Sequence, residues 1–206
     1  MTKEGAIFPL PFIIAAAILF VKFHQGMNIT YLYFSAGLFY LGLIIMLFFR
    51  DPDRKVPSGE NLIVAPADGK IISLDAAGEN PALSIFLSIF NVHVNRSPVD
   101  GVVKSITHQK GKFHAAFRAA AMNENERNEI EIETDKGIVK LCQVAGAVAR
   151  RTVVYKKPGD RVKAGERIGM IRFGSRIDLF LPKGASIEIK LRQKVLAGET
   201  VLGRLQ

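Results

Sequence analysis

Gly174 and Ser175 are the residues whose types and order best suit a chemical reaction in this sequence. A glycine before a serine leaves the preceding carbonyl without side-chain cover, and it allows the positive φ that brings the hydroxyl towards that carbonyl. The Ser175 hydroxyl can then attack the carbonyl of Gly174, which is the first step of chain self-cleavage. A Gly-Ser turn between two strands is the alternative when the pair is considered alone.

Six further motifs precede this pair along the chain. They occupy residues 48–54, 65–70, 90–101, 111–113, 123–128 and 145–151. In this order, and ending in Phe-Gly-Ser, they resemble the short form of the phosphatidylserine decarboxylases, which are pyruvoyl enzymes made as self-cleaving proenzymes. The resemblance extends from about Phe48 to the C-terminus, and the joint occurrence of the motifs makes it specific.

The resemblance implies that Ser175 becomes the cofactor. Attack on Gly174 converts the amide to an ester, and β-elimination then frees a chain that ends at Gly174. Residue 175 is left as dehydroalanine, which hydrolyses to a pyruvoyl group. A Schiff base between this group and the substrate amine would accept the electrons released when the carboxylate leaves. With phosphatidylserine the product is phosphatidylethanolamine, so we expect a decarboxylase of phospholipid biosynthesis.

A serine nucleophile needs a base within hydrogen-bond reach. The segment around His93 matches the family's active-site histidine segment, and the resemblance places the catalytic aspartate at Asp68, where it would orient a histidine. An ordinary Asp-Gly hairpin turn is the alternative for Asp68. Longer family members carry two histidines three residues apart, whereas here Arg96 follows His93 at that spacing. Either His93 serves both cleavage and protonation, or another group takes one of these tasks.

Basic side chains are the candidates for binding the phosphate or carboxylate of the substrate. They are Arg96, Lys112, Arg127 and Arg176. A solvated surface charge is the alternative for each, and least so for Arg176 because it adjoins Ser175. The single cysteine, Cys142, lies in an apolar stretch, so we expect neither a disulfide nor a metal site.

Two apolar runs, residues 6–23 and 29–49, precede these motifs. Each is near the roughly 20 residues that a helix needs to cross a bilayer. The short polar connection between them predicts a helical hairpin that anchors residues 1–49, with a catalytic domain in residues 50–206. Pro9 and Pro11, with the marginal length of the first run, would also suit a monotopic, re-entrant segment.

The charges predict orientation and partners. Arg50, Arg54 and Lys55 follow the second apolar run, which places the catalytic domain on the cytoplasmic face of the inner or plasma membrane. The net charge of +9 favours an anionic lipid surface. Nucleic acid is not expected as a partner, because the sequence has no basic stripe interleaved with aromatic residues and no nucleic-acid motif.

The pattern after Leu62 predicts a mainly β fold. Short alternating runs, typical of half-buried antiparallel strands, occupy residues 62–65, 69–74, 83–87, 101–106, 129–134, 137–141 and 185–191. An Ala-rich segment, residues 113–122, predicts one short helix. The pattern Val-x-Ala-Gly-Glu begins at Val162 and again at Val195, and each copy predicts a strand end, a glycine turn and a new strand. These units are similar to those of biotinyl and lipoyl carrier domains, so we expect a barrel-sandwich catalytic domain.

The expected mature protein has two associated chains, residues 1–174 and 175–206, so the second has 206 − 174 = 32 residues. Association of several copies stays open, as does the preference for lipid tails. Another serine-headed lipid, such as archaetidylserine, is an alternative substrate. A non-catalytic membrane adaptor built on a biotinyl-like sandwich is the alternative from another class, although the sequence lacks the modifiable lysine between methionines that carrier domains have.

Overall fold

The chain divides into two compact units, Met1–Pro52 and Asp53–Gln206. The computed structural model describes residues 5, 7–26, 28–76, 78–112, 125–146, 152–171 and 175–206. Gly174 and the helix predicted at 113–122 lie outside the described residues.

Two apolar helices, α1 (Leu10–His24) and α2 (Thr30–Phe48), form the N-terminal unit. The Ser35 hydroxyl on α2 donates a hydrogen bond to the Ala16 carbonyl on α1 at 2.8 Å, which shows that the two helices pack closely. The predicted helical hairpin is therefore confirmed. α2 has 19 residues and is long and apolar enough to cross a membrane, whereas α1 has 15 residues and is shorter.

Short strands build the second unit. In chain order they are β1 (Leu62–Val64), β2 (Gly69–Asp75), β3 (Ala82–Leu87), β4 (Val94–Arg96), β5 (Gly101–Gln109), β6 (Arg127–Thr134), β7 (Gly137–Val144), β8 (Thr152–Val154), β9 (Arg161–Val162), β10 (Arg167–Ile171), β11 (Ser175–Phe180), β12 (Ser186–Ile187), β13 (Lys194–Val195) and β14 (Val201–Arg204). The predicted mainly β fold is confirmed.

Eight of these strands form one curled half-barrel sheet in the order β13-β2-β3-β11-β7-β6-β5-β9. Two three-stranded sheets, β1-β14-β12 and β4-β10-β8, complete the unit. All pairings within these sheets are antiparallel, and the core consists of branched aliphatic side chains such as Ile85, Ile130 and Ile177. Burial of these side chains is the main stabilising contribution to the fold.

The strand β11 lies in the middle of the large sheet, between β3 and β7. Its residues Ser175 to Leu179 are all buried. Both faces of this strand are therefore covered, including the face that carries Arg176 and Asp178. Such a strand does not show the clean alternation of a half-buried one.

The two Val-x-Ala-Gly-Glu segments form the predicted turns. β9 ends at Val162, Gly165 has φ +78°, and β10 follows. β13 ends at Val195, Gly198 has φ +74°, and β14 follows. Glycine is favoured at both turns because a positive φ strains other L-residues.

Each of these turns is bound by an aspartate from a Pro-x-Asp-Gly segment that the sequence also contains twice. Asp68 Oδ1 accepts a hydrogen bond from Ala197 N at 2.8 Å, and Asp100 Oδ1 accepts one from Ala164 N at 2.7 Å. The same arrangement of turn and aspartate therefore occurs twice in the second unit.

One predicted strand is shorter than expected. The run 185–191 contributes only β12, because Glu188 N bonds to the Leu202 carbonyl and the chain then turns between Lys190 and Gln193. The turn redirects the chain to β13, which the alternation of apolar residues did not indicate.

Candidate active site

Ser175 is the first residue of β11 and is fully buried. It pairs with Leu87, the last residue of β3. Its hydroxyl oxygen forms no hydrogen bond with any residue that the structure describes. An unsatisfied buried hydroxyl is costly, and such groups are retained where chemistry requires them.

His93 lies at the same end of the sheet and is also fully buried. Its carbonyl accepts a hydrogen bond from the amide of Ile171, the last residue of β10, at 3.2 Å. The chain therefore passes His93 four residues before it reaches Ser175. The turn that joins β3 to β4 therefore meets the end of β10 at this point.

The ring of His93 is held in one tautomer. Its Nδ1 lies 2.8 Å from the Asn91 carbonyl oxygen, which can only accept a hydrogen bond. Nδ1 must therefore carry the proton, and in the neutral ring Nε2 keeps its lone pair. This is the state that a general base requires.

Asp68 directly precedes β2, two strands from Ser175 in the large sheet, which corresponds to about 10 Å. Arg54 Nη2 lies 2.8 Å from both of its carboxylate oxygens, and each side chain is only 7% exposed. Ala197 N supplies the further bond described above. The carboxylate is thus fixed in position by a buried guanidinium and a backbone amide.

Arg54 lies in the motif at residues 48–54, but its local sequence indicates no role in the site. Asp68 and Arg54 are 14 residues apart, so local patterning does not indicate their contact. Asp100, which binds the other Val-x-Ala-Gly-Glu turn, is exposed. The buried Arg54 contact distinguishes Asp68 from its counterpart.

A buried amide network, which the sequence did not reveal, borders the Ser175 end of the sheet. Gln143 pairs with Ile177, two residues along β11 from Ser175, and its Nε2 donates to Asn95 Oδ1 at 2.8 Å. Asn128 Nδ2 donates to Gln143 Oε1 at 3.3 Å and to Thr152 Oγ1 at 2.8 Å. Asn95 Nδ2 makes no hydrogen bond with a described residue, so the network ends in a buried donor that is able to bind an oxygen atom.

Two of the predicted basic residues, Arg176 on β11 and Arg127 on β6, each form an ion pair with a carboxylate on the same strand. Arg176 Nε donates to Asp178 Oδ1 at 2.5 Å and Arg176 Nη2 donates to Ser84 Oγ at 2.8 Å. Arg127 Nε donates to Glu129 Oε1 at 2.8 Å. Burial alone would raise the pKa of Glu129, but hydrogen bonds from Lys140 and Arg127 lower it overall.

The other two basic residues have different surroundings. Arg96 is buried, and its guanidinium donates to the Gly165 carbonyl at 2.9 Å. Lys112 is exposed and forms an isolated bridge with Asn125. In the described part of the chain no group of three or more His, Cys, Asp or Glu side chains is arranged to hold a metal ion.

Comparison with known proteins gives a consistent result. Residues 41–203 match the family model described as phosphatidylserine decarboxylase. The phosphatidylserine decarboxylase proenzyme of Chlorobaculum tepidum is 48% identical over 168 residues, which are 79% of this chain and 78% of the relative. The proenzyme of Citrifermentans bemidjiense is 43% identical over 93% of this chain and 90% of its own length. That of Parabacteroides distasonis is 44% identical over 86% of this chain and 90% of its own length. Together with the arrangement of Ser175 and His93, these matches establish that the chain belongs to the phosphatidylserine decarboxylase family.

Proposed function

We propose that this protein decarboxylates phosphatidylserine to phosphatidylethanolamine at a pyruvoyl group that it generates from Ser175. The observation that carries the proposal is the Ser175 hydroxyl, which is fully buried and has no hydrogen-bond partner among the described residues. A structural serine at the start of a central strand would normally bond to a neighbouring carbonyl. The matches to proenzymes of the same family support the same reading.

Cleavage begins when the Ser175 oxygen attacks the carbonyl carbon of Gly174 and the peptide bond becomes an ester. His93 accepts the hydroxyl proton at Nε2, the ring nitrogen that its bond to Asn91 leaves unprotonated. β-Elimination then removes the Cα proton of residue 175 and breaks the bond between the side-chain oxygen and Cβ. Gly174 leaves as a carboxylate, and residue 175 remains as dehydroalanine. Hydrolysis then releases ammonia and completes the chains 1–174 and 175–206.

Asp68 acts through position rather than through direct contact with the reacting atoms. Its bond to Ala197 fixes the turn that follows β13, and its pair with Arg54 fixes the segment that enters the second unit. Both stabilise the end of the sheet that holds Ser175. We therefore assign Asp68 and Arg54 as positioning residues for cleavage.

The pyruvoyl group supplies a ketone that binds the substrate amine and accepts the electrons of the departing carboxylate. Asn95 donates its Nδ2 hydrogens to a carboxylate or carbonyl oxygen of the substrate, since Gln143 already holds its Oδ1. His93 returns a proton to the carbon that loses the carboxylate. Lys112 is exposed and contributes charge towards the lipid phosphate, whereas Arg96 shapes the site through Gly165.

The same proposal places the second unit on the cytoplasmic face of the inner or plasma membrane, anchored by the apolar helices. α2 is the helix long enough to cross. Arg50 and Lys55 follow it and favour the cytoplasmic side, whereas the guanidinium of Arg54 is bound to Asp68.

Intact mass spectrometry of the purified protein tests the proposed chemistry. We expect two chains, the shorter of 32 residues with a pyruvoyl group in place of the N-terminal serine, so that Edman sequencing of it fails. The Ser175→Ala variant should remain a single inactive chain of 206 residues. A free Ser175 N-terminus would show simple hydrolysis, and a cleaved Ser175→Ala chain would show an external protease; either result would overturn the proposal.

Assays on defined lipids test the substrate. We expect release of CO₂ from phosphatidylserine dispersed in detergent, with little dependence on its acyl chains. Turnover of archaetidylserine in preference to phosphatidylserine would keep the chemistry and change the substrate.

A further inference from the structure

An exposed apolar turn lies beside the candidate active site. Ile89 and Phe90 join β3 to β4 and are 54% and 80% exposed. The turn has a defined shape, because Ser88 N and Ser88 Oγ both donate to Asn91 Oδ1, at 2.9 and 2.7 Å. A rigid turn therefore presents two large apolar side chains to the surroundings, directly after the strand that pairs with Ser175.

A third exposed apolar side chain lies at the same end of the sheet. Leu196 is 46% exposed and directly follows β13, in which Val195 pairs with Gly69. Since β13, β2 and β3 are successive strands, Leu196 and the turn of Ile89 and Phe90 lie on one edge, about two strand spacings apart. Single exposed apolar residues are ordinary, but a group of them on one edge indicates an interaction surface.

Basic side chains flank this group. Lys70 and Lys194 are directly opposite each other on β2 and β13, and Arg192 lies in the preceding turn. All three are exposed, and none forms an ion pair with a residue that the structure describes. Like charges opposite each other on neighbouring strands are destabilising. Lysines on an edge strand often have the single role of preventing aggregation. That role does not explain the exposed apolar turn beside them.

We propose that this edge, formed by Ile89, Phe90, Leu196, Lys70, Arg192 and Lys194, is a docking surface for an anionic lipid membrane. Apolar side chains that enter the headgroup region, surrounded by lysine and arginine that contact lipid phosphates, are the usual chemistry of proteins that bind at membrane interfaces. The position of Arg54 agrees with this: it is the second residue of the catalytic unit and is bound to Asp68, so the chain enters the unit at this end.

The consequence is that the membrane meets the protein beside Ser175 and His93. A lipid headgroup then reaches the site without the acyl chains leaving the bilayer. This inference rests on the proposed function only in its choice of a bilayer as the surface that holds the substrate.

The absence of tryptophan from the sequence provides a direct test. Phe90→Trp in the full chain introduces a single tryptophan into the turn. The protein is reconstituted into vesicles of phosphatidylcholine with phosphatidylglycerol, with and without brominated acyl chains. Ile138→Trp is the matched control, because Ile138 is 39% exposed and lies at the far end of the sheet, next to the turn between β6 and β7.

We expect blue-shifted emission and bromine quenching for Phe90→Trp, and neither for Ile138→Trp. Emission from Phe90→Trp that matches the control and is not quenched would overturn the proposal. A blue shift that grows with protein concentration, without quenching, would indicate that a second copy of the chain covers the turn and would also overturn it.

The basic residues need a separate comparison. Lys70→Gln with Lys194→Gln should reduce docking on the order of tenfold in anionic vesicles, measured as the change in quenching of Phe90→Trp with lipid composition. The control pair is Lys104→Gln with Lys136→Gln, on β5 and in the far turn, which should have little effect. Equal quenching of Phe90→Trp in anionic vesicles and in pure phosphatidylcholine would show that the basic residues do not contribute to docking. That result would overturn the proposal as stated. Loss of chain cleavage in the same samples would instead count against the proposed function, since fluorescence does not depend on it.

Discussion

At the scale of residues, Asp68 and Asp100 show how one local sequence serves two purposes. Both follow a proline by two residues, precede a glycine, and accept a backbone hydrogen bond from a Val-x-Ala-Gly-Glu turn. Only Asp68 is buried against a guanidinium. The turn contact is therefore common to both aspartates, whereas the pair with Arg54 is particular to Asp68, for which we propose a positioning role in cleavage.

Replacement of the two aspartates separates these purposes. Asp68→Asn should cost about 3 kcal/mol of unfolding free energy, because it removes the nearest carboxylate from the buried Arg54 guanidinium and leaves it with Glu199, 3.7 Å from Nη1. It should also slow chain cleavage. Asp100→Asn should cost less than about 1 kcal/mol, because the amide oxygen can still accept the hydrogen bond from Ala164 N, and it should leave cleavage intact. Urea denaturation and gel analysis of the two chains measure both effects. The double variant Arg54→Gln/Asp68→Asn should regain stability without regaining cleavage; equal cleavage in all variants would remove Asp68 from the site.

Cys142 provides a test of burial within the central sheet. It is buried, and desolvation, with a smaller contribution from the Glu129 carboxylate, raises its pKa to about 12. The reactive form is the thiolate, so at pH 8 only about one thiol in ten thousand is reactive. We expect no alkylation by iodoacetamide in the folded protein and complete alkylation in urea. Rapid labelling of the folded protein would contradict the described packing of β7.

How far the site could be predicted depends on the range of each contact. Ser175, His93 and Asp68 lie in local motifs, and these motifs were sufficient to propose them as site residues. Arg54 and the amides of Asn95 and Gln143 are different, because their partners are 14 and 48 residues away and appear only when the sheets form. An isolated arginine or glutamine carries no signal of such a partner.

At the scale of elements, alternation predicted five of the six described strands that have six or more residues. The exception is β11, which is buried on both faces and shows no alternation, whereas the three-residue β1 was predicted as the run 62–65. β2, β3, β5, β6 and β7 follow the predicted runs closely. β4 and β8 have three residues each, which is too few to show a period. β9 and β13 have two residues each, but the glycine turns after them could be predicted because positive φ restricts the residue type.

The turn at Gly165 is constrained by space as well as by φ. A Cβ on Gly165 would lie 2.4 Å from Val56 Cγ2, whereas a Cβ on Gly184, which has a similar φ of +85°, would meet nothing within 4 Å. Gly165→Ala should therefore destabilise more than Gly184→Ala, which should cost on the order of 1 kcal/mol from backbone strain alone. Thermal unfolding measures the difference. Val56→Ala should recover part of the loss in Gly165→Ala, and equal effects of the two alanines would show that Val56 moves aside freely.

At the scale of the whole molecule, the apolar sequence forms one unit and the proposed site residues lie in the other. Ser175, His93, Asp68 and the residues that bind them all lie in Asp53–Gln206. The N-terminal unit contributes apolar helices, which hydropathy alone predicted. Length and composition could predict this division because the bilayer imposes a simple requirement, about 20 apolar residues per crossing.

Deletion of residues 1–49 tests the division. The remaining chain should still cleave itself and decarboxylate detergent-dispersed lipid, while its binding to anionic vesicles weakens sharply with added salt as charges are screened. Vesicle sedimentation and gel analysis measure these properties. A truncated protein that is folded by circular dichroism but does not cleave would show that the helices help to build the site.

The central position of β11 has a consequence for the reversibility of folding. In the proposed mature form β11 begins a separate chain, yet it lies between β3 and β7, while β13 and β14 of the same fragment pair with β2 and β1. The precursor folds in a first-order reaction, but the cleaved protein must fold by the encounter of two molecules. Its unfolding midpoint should therefore rise with protein concentration, whereas that of Ser175→Ala should not. Cleavage thus changes the molecularity of folding, and a mature enzyme that loses its short chain at low concentration has no unimolecular route back.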